Sequence, residues 1–235
     1  MDKIPLYFVL IVAIAVFSAC GGKSSFESGA ASVYLNQGML ASGEYGVLVD
    51  SRDNRVYRVV TLGEQTWMAE NLNYSLDAGS QSWCWGDDEG FCAKYGRLYT
   101  WNAAVRACPE GWHLPTQNEF ESLVKLVDSG YPAPPADEAY SSVAGKRLKS
   151  AAVWGGSGVG SNDVGFSAVP AGRYDGELGS FFLEGADGVT YFWGATELES
   201  DKAFFLNIGC DDDGANLGYL LKIHGNSVRC VKNAD

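Results

Sequence analysis

The sequence predicts an α+β fold in which two short helices pack on antiparallel sheets with long loops. Two helix-start signals stand close together, at Thr100 and at Thr116. After residue 160, short apolar segments separated by Gly, Asp and Asn follow one another, which is typical of successive antiparallel strands. Aromatic and turn-forming residues are abundant, with 29 Gly, 12 Tyr and 7 Trp. Helices followed by a run of strands indicate the α+β class.

Length and charge limit the functions that the chain can have. Its 235 residues are enough for one large domain with its own core. The formal net charge of −12 argues against nucleic-acid binding, because a phosphate-binding face needs clustered Lys and Arg. The acidity is most simply explained by solubility.

Residues 1–19 are predicted to be a lipoprotein signal peptide. The apolar run from Ile4 to Phe17 is too short for a comfortable transmembrane helix but suits a signal-peptide core. It ends in Phe17-Ser18-Ala19-Cys20, which resembles a bacterial lipobox, although Phe17 stands where leucine is commonest. By that resemblance Cys20 becomes the diacylated mature N-terminus, and N-acylation, for example with palmitate, completes a stable membrane anchor. The alternative is an ordinary cleaved signal with a chance cysteine.

Residues 20–42 are rich in Gly, Ser and Ala and are predicted to be a flexible tether. Gly21, and not Asp, follows the cysteine, so the retention signal known from other bacteria is absent and the outer membrane or cell surface is expected. Export would place the remaining domain, residues 43–235, in a compartment where disulfides persist.

The domain is expected to begin with a β-hairpin. Residues 45–50 and 56–60 are rich in strand-forming side chains and flank a turn of Asp, Ser, Arg and Asn. In the segment that follows, Trp67, Met68 and Leu72 are expected to be core or sheet-face residues.

The first predicted helix starts at Thr100 and places Trp101, Ala104 and Val105 on one face. Because a proline follows Cys108 and cannot continue a helix, Cys108 is expected in the last turn.

The second predicted helix starts with a capping box formed by Thr116 and Glu119. Its apolar face has helical spacing and consists of Phe120, Leu123, Val124 and Val127. Later strands are predicted at residues 164–174, 180–183, 189–193, 203–208, 218–223 and 227–232. The glycines of residues 155–160 do not fit a nucleotide-binding loop.

Six ordered motifs give the chain a resemblance to a known family. They are residues 65–74, 92–101, 108–116, 165–172, 192–197 and 227–232. Together they resemble the Fibrobacter succinogenes major paralogous domain, over roughly residues 45–233. The resemblance implies a C-type-lectin-like fold, which formylglycine-generating enzymes share broadly, in an exported and often lipid-anchored module of unsettled activity.

Five cysteines remain once the lipidated one is set aside. Cys84 and Cys92 flank a short Gly- and Asp-rich loop, and their proximity predicts a disulfide. The family resemblance implies a second disulfide, between Cys108 and Cys230, because a helix-end cysteine bonds a last-strand cysteine in that fold. Cys210 is then left over, either as a buried small side chain or as a reactive thiol. A different pairing that uses Cys210 stays open.

Metal and catalytic signals are weak. The chain has two histidines, so three-histidine sites are excluded. His113 is expected to cap or pack in a turn, and His224 has no acidic partner nearby in sequence. Asp211, Asp212 and Asp213 offer oxygen ligands for calcium, but the spacing is not that of an EF-hand, and a plain acidic turn is the alternative. No other cofactor is expected.

The sequence favours a surface-anchored lectin-like module for binding, adhesion or scaffolding, with a glycan such as plant polysaccharide, or an envelope protein, as partner. Trp154, Tyr174, Tyr191 and Trp193 are the candidate sugar-stacking residues, although Trp and Tyr also fill cores. The alternatives are a degenerate oxidase-like enzyme that uses Cys210 and a purely structural envelope protein. Because formylglycine-generating chemistry by resemblance uses a pair of thiols, an enzyme is the less favoured class.

Overall fold

A computed structural model describes residues 45–76, 81–131, 138–155, 158–182 and 188–234. The predicted signal peptide, Cys20 and the tether lie outside these residues. The elements in chain order are β1 (Gly46–Asp50), β2 (Arg55–Leu62), β3 (Gln65–Met68), β4 (Ser82–Trp83), α1 (Glu89–Tyr95), β5 (Leu98–Tyr99), α2 (Trp101–Ala104), β6 (Trp112–His113), α3 (Gln117–Val127), β7 (Glu138–Ser141), α4 (Ala144–Leu148), β8 (Tyr174–Asp175), β9 (Ser180–Phe181), β10 (Val189–Glu197), β11 (Lys202–Gly209), β12 (Ala215–Leu221) and β13 (Val231–Lys232).

The strands form antiparallel sheets, which confirms a mixed fold of few helices and mostly antiparallel strands. One sheet has five strands in the order β1-β2-β3-β13-β6, and another has four in the order β10-β11-β12-β7. Two further pairs, β4-β5 and β8-β9, stand apart from them. Among the described helices, none has the length and apolar character that spanning a membrane requires.

Helix α3 lies at the centre of the largest core. Its predicted capping box is present, with the Glu119 amide donating to Thr116 Oγ1 and the Thr116 amide donating to the Glu119 carboxylate at 2.7 Å. This start fixes the apolar face, so that Phe120 is fully buried against Trp67 with ring centroids 5.3 Å apart. Trp67 also contacts Phe166 edge-on at 5.8 Å. The core therefore joins α3 to the five-stranded sheet.

The first predicted helix is present but much shorter than expected. Helix α2 ends at Ala104, so Cys108 lies beyond it and not in its last turn. The Thr100 hydroxyl donates to a carbonyl of the preceding segment and does not cap the helix. Val105, assigned to the buried face, is 41% exposed, because the chain has already left the helix there.

The predicted strand at residues 164–174 is also wrong for most of its length. Apart from β8, the segment has only single-residue bridges, at Ala168 and at Gly172. The carbonyls of Phe166 and Ser167 accept hydrogen bonds from the Arg229 guanidinium, so they are not free for a sheet partner.

Arg229 is fully buried beside the long-range disulfide. Its Nε donates to Asn71 Oδ1 at 2.8 Å, and its two terminal nitrogens donate to the carbonyls of Phe166 and Ser167. Burial lowers the pKa of Arg229 to about 9. The neighbouring disulfide, Cys108–Cys230, closes a separation of 122 residues. In the chain-entropy model such a loop contributes about 5 kcal/mol to stability.

Candidate functional site

Five partly exposed aromatic side chains form a continuous row, which we call the aromatic row. Its members in spatial order are Trp83, Tyr174, Phe181, Trp85 and Phe91, with successive ring centroids 4.0, 5.4, 5.9 and 5.0 Å apart. Trp83 and Tyr174 are stacked, and Tyr174 meets Phe181 edge-on. Most aromatic side chains of this size are buried in a core, so a contiguous row that stays partly exposed is a candidate binding surface.

Three constraints, one covalent and two made by hydrogen bonds, hold the row in place. The Cys84–Cys92 disulfide ties together the chain segments that carry Trp85 and Phe91, and Asp88 caps helix α1 by accepting from the Gly90 amide at 2.8 Å. On the other side of the row, strands β8 and β9 pair Tyr174 with Phe181.

A glycine allows the stacking of Trp83 on Tyr174. Gly225 pairs with Tyr174 through backbone hydrogen bonds of 2.9 Å in both directions. A Cβ atom at Gly225 would lie 2.8 Å from Tyr174 Cβ and 3.1 Å from the Trp83 ring. A larger residue would therefore push the two rings apart.

Unsatisfied polar atoms adjoin the row. Trp85 Nε1 and Arg173 Nε are both buried without a hydrogen-bond partner in the described part of the chain. The Arg173 guanidinium lies over the rings of Phe182 and Tyr191, at 4.8 and 5.0 Å from their centroids. An unpaired buried donor costs about 1–3 kcal/mol. Such donors beside partly exposed aromatic rings are the combination that ligand sites use for orientation.

His224 lies at the base of the β8–β9 hairpin, between two carboxylates. Its Nδ1 accepts a hydrogen bond from the Gly176 amide at 3.1 Å and lies 3.7 Å from Asp175 Oδ1. Its Nε2 lies 4.0 Å from Glu177 Oε2. The side chain of His224 is only 4% exposed, whereas that of Glu177 is 62% exposed. Because Nδ1 is an acceptor, the proton of the neutral ring is on Nε2.

Burial sets the charge state of this cluster. Burial lowers the pKa of His224, and the Arg173 cation adds to the effect, against the opposing influence of Asp175 and Glu177. Burial acts to raise the pKa of Asp175, but the amides of Leu178 and Glu177, with His224 and Arg173, bring it below its ordinary value. A neutral imidazole beside a carboxylate is therefore the state at neutral pH.

The same cluster has the residue types of a metal centre. Asp175, Glu177 and His224 offer ligand atoms within 4.8 Å of one another. However, Nδ1 of His224 already accepts from a backbone amide, and Asp175 accepts two amides and pairs with Arg173 at 3.2 Å. The arrangement therefore favours hydrogen bonding over metal ligation. The other such group in the described residues contains Cys84 and Cys92, whose sulfurs form a disulfide.

In the acidic turn predicted as a possible calcium site, two of the three carboxylates have partners among the described residues. Asp212 accepts hydrogen bonds from the Gly214 amide at 2.8 Å and from the Tyr140 hydroxyl at 3.3 Å, and Asp213 pairs with Lys146 at 3.2 Å.

Beneath this turn lies a buried cation. Lys149 Nζ donates to the carbonyls of Gly209 and Asp212, at 3.0 and 2.7 Å. Burial lowers the pKa of Lys149, while Asp213, Asp212 and Asp211 oppose the change. The three aspartates thus offset a buried lysine charge.

Of the four aromatic residues predicted to stack on sugars, two are in the core. Trp193 is fully buried and donates its Nε1–H to the Tyr99 carbonyl at 2.8 Å, and Trp154 is 7% exposed and donates to Ala168. These two rings have no face available to a ligand. Tyr191 is partly exposed and packs on Phe205, with centroids 5.6 Å apart. Tyr174 alone of the four belongs to the aromatic row.

Both predicted disulfides are present, Cys84–Cys92 and Cys108–Cys230. The assignment of Cys210 as the odd cysteine is wrong. Cys210 is 2% exposed and is itself disulfide-bonded. It is therefore not the free thiol that the oxidase-like alternative needs.

Sequence reasoning missed most of the site. A signal for the aromatic row was present, since Trp83 and Trp85 flank Cys84, and Phe91 precedes Cys92, so a disulfide there holds three aromatic side chains together. Nothing in the sequence indicated that His224 meets Asp175, because their contact depends on the β8–β9 hairpin packing on a distant segment.

Comparison with known families gives one finding. The family model described as Fibrobacter succinogenes major domain matches residues 60–232. No curated protein and no solved structure matches the chain. Because the family match spans well over half of the sequence, the chain belongs to the Fibrobacter succinogenes major domain family.

Proposed function

We propose that the protein is a surface-anchored binding module that holds glycans on its aromatic row. The observation that carries the proposal is the contiguity of the row: Tyr174 is stacked on Trp83 and continues through Phe181 to Trp85, all partly exposed. Flat, exposed aromatic rings offer apolar faces to sugar rings, and nearby polar groups supply orientation.

The polar groups beside the row suit a hydroxylated ligand. The Trp85 Nε1–H and Arg173 Nε–H donors have no partner among the described residues. The exposed Glu177 carboxylate on the β8–β9 turn is an acceptor. Sugar hydroxyls both donate and accept, so a site with both types of group matches them better than it matches a purely apolar ligand.

We also propose the C-type-lectin-like fold as the finer assignment. It is supported by the Cys108–Cys230 disulfide, which connects the turn after α2 to the residue before β13. The small sheets and long connections between residues 142 and 188 are compatible with it.

The anchor is proposed from the lipobox-like segment that ends at Cys20, followed by Gly21. We propose that lipid on Cys20 holds the module at the outer membrane or cell surface. With Cys84–Cys92 and Cys108–Cys230 closed, Cys20 is the cysteine of the sequence left to pair with Cys210. Lipid on Cys20 and an intramolecular disulfide of Cys210 therefore exclude each other, and the labelling experiment decides between them.

Labelling tests the anchor directly. We expect cells that express the chain to incorporate labelled fatty acid into it, and Cys20→Ser to abolish incorporation and release the protein from the membrane fraction. Equal labelling of the two chains would rule out Cys20 as the lipid site, and an unlabelled natural chain would exclude the anchor.

Binding to glycans tests the function. The full chain is incubated with a panel of insoluble plant polysaccharides and soluble glycans, with calcium and with chelator. We expect retention on at least one glycan, and Tyr174→Ala should weaken it at least tenfold, about 1.4 kcal/mol, because the ring that joins Trp83 to Phe181 in the row is lost.

Tyr140→Ala is the matched control, since Tyr140 is 49% exposed on β7 and lies outside the row. An equal loss of glycan retention in the two variants would contradict a site at the row. So would a loss of retention in Tyr140→Ala alone, if that variant is still folded. Retention that disappears only with chelator would return Asp211, Asp212 and Asp213 to consideration as a calcium site. Failure of every glycan to retain the protein would exclude carbohydrate binding and leave protein scaffolding as the better account.

A further inference from the structure

We infer that the β8–β9 hairpin is a pH-responsive element: protonation of His224 breaks its hydrogen bond with the Gly176 amide and loosens the turn that supports Tyr174 and Phe181. The glycan site would then be organised at neutral pH and weakened in acid. The link to glycan affinity rests on the proposed function, but the structural transition does not.

The hydrogen bond at the turn requires a neutral ring. The Gly176 amide donates to His224 Nδ1 at 3.1 Å. A protonated imidazole carries hydrogens on both nitrogens and accepts at neither. Protonation therefore converts a donor–acceptor contact into a contact between two donors, and the turn or the ring has to move.

The surrounding charges determine where the ring can go. Asp175 Oδ1 lies 3.7 Å from Nδ1 and Glu177 Oε2 lies 4.0 Å from Nε2, so both carboxylates attract the protonated ring. The Arg173 cation, which pairs with Asp175 at 3.2 Å, disfavours the positive charge on the His224 ring.

Asp175 cannot turn to the charged ring without a cost to the hairpin. Its Oδ1 atom accepts the amides of Glu177 and Leu178, at 3.0 and 3.1 Å, and these bonds shape the turn. A charged His224 competes with both amides for the same oxygen atom.

The turn is directly connected to the aromatic row. Tyr174 precedes Asp175 in β8 and pairs with Phe181 in β9. Gly225, which follows His224, exchanges two backbone hydrogen bonds with Tyr174. A shift at His224 or Gly176 therefore displaces the strand that holds Tyr174 against Trp83.

The direction of the pH effect follows from burial. Because the pKa of His224 in the fold is below its ordinary value, the unfolded chain binds this proton more readily. The stability that the neutral ring supports is complete at neutral pH. It decreases as the pH falls below about 6.5, the ordinary histidine value, and levels off below the pKa of the folded state.

Nuclear magnetic resonance of the full chain tests the switch without any glycan. We expect the Gly176 amide and the His224 ring to titrate with the same midpoint, below that of an ordinary histidine, between about pH 7 and pH 4.5. His224→Gln is the informative variant, since its side-chain carbonyl can accept from Gly176 but does not titrate.

The result expected is loss of the Gly176 transition in His224→Gln, with a spectrum at neutral pH that changes only for residues beside the substituted side chain. A Gly176 amide that does not titrate, or that titrates equally in His224→Gln, would overturn the inference. Where a retaining glycan is found, its affinity should fall at least fivefold in acid for the natural chain and much less for His224→Gln. If the Gly176 amide titrates with His224 but no glycan retains the protein, the proposed function is excluded and the pH-responsive hairpin is still supported.

Discussion

Two regions of this molecule differ in whether their buried polar atoms have hydrogen-bond partners. Around Arg229, all three guanidinium nitrogens have protein acceptors, and Asn71, one of those acceptors, also donates to Tyr95 and to Ser227. Around the aromatic row, Trp85 Nε1 is buried without a partner in the described part of the chain. The guanidinium nitrogens of Arg229 are thus all hydrogen-bonded, whereas the Trp85 indole donor is not.

The difference suggests separate roles: the hydrogen bonds around Arg229 stabilise the fold, and the aromatic row has a donor that a ligand could bind. A buried cation is tolerated only when it is fully hydrogen-bonded, so the acceptors of Arg229 must all stay in place. An unpaired donor lowers stability unless something else binds it. We conclude that the unpaired Trp85 donor is a feature of the row that the contacts of the described residues do not explain.

The largest effect on stability is expected from removing the buried guanidinium of Arg229. Arg229→Met removes the guanidinium and leaves Asn71 Oδ1 and the carbonyls of Phe166 and Ser167 without their donor. We expect a loss of about 3–5 kcal/mol in the free energy of unfolding, measured by denaturant titration, because the acceptors stay buried.

Arg55→Met is the control for this substitution. The Arg55 side chain is 47% exposed and pairs with Asp53 at 3.1 Å, so its replacement should cost less than about 1 kcal/mol. A similar small cost at Arg229 would mean that the region does not depend on the buried guanidinium.

Local sequence signals correctly predicted the elements that depend on residues close together in the chain. The capping box of Thr116 and Glu119 acts within one helical turn, and the β1–β2 hairpin depends on adjacent residues. Arg229 shows where such signals fail. Its position in a predicted strand gave no sign of burial, because its acceptors come from Asn71 and from residues 166 and 167, which are distant in sequence.

The candidate site was predicted only in part for a related reason. Tyr174 and Trp193 both stand in strand-like segments, and both types of side chain fill cores as readily as they bind ligands. What separates them is long-range packing: Trp193 is fully buried and donates to the Tyr99 carbonyl, whereas Tyr174 pairs with the Gly225 backbone and keeps its side chain partly exposed. The sequence supplies candidates, and their burial depends on contacts that no local pattern encodes.

The smallest effect on stability is expected in the aromatic row, where the Trp85 donor can be removed without leaving an acceptor unpaired. Trp85→Phe keeps an aromatic ring between Phe91 and Phe181 and deletes the orphaned Nε1–H. We expect the free energy of unfolding to change by less than about 1 kcal/mol, because the relief of the unpaired donor offsets the loss of ring area.

Trp101→Phe is the matched control, because Trp101 Nε1 donates to the Gly194 carbonyl at 2.9 Å inside the core. The same chemical change there leaves a buried carbonyl without its donor and should cost about 1–3 kcal/mol. Equal costs at Trp85 and Trp101 would show that the Trp85 donor is satisfied within the fold, and the contrast between the two regions would not hold. If Trp85→Phe is neutral for folding but weakens glycan retention, the free donor serves the ligand, and the unfavourable contribution it makes to folding is a consequence of the binding site.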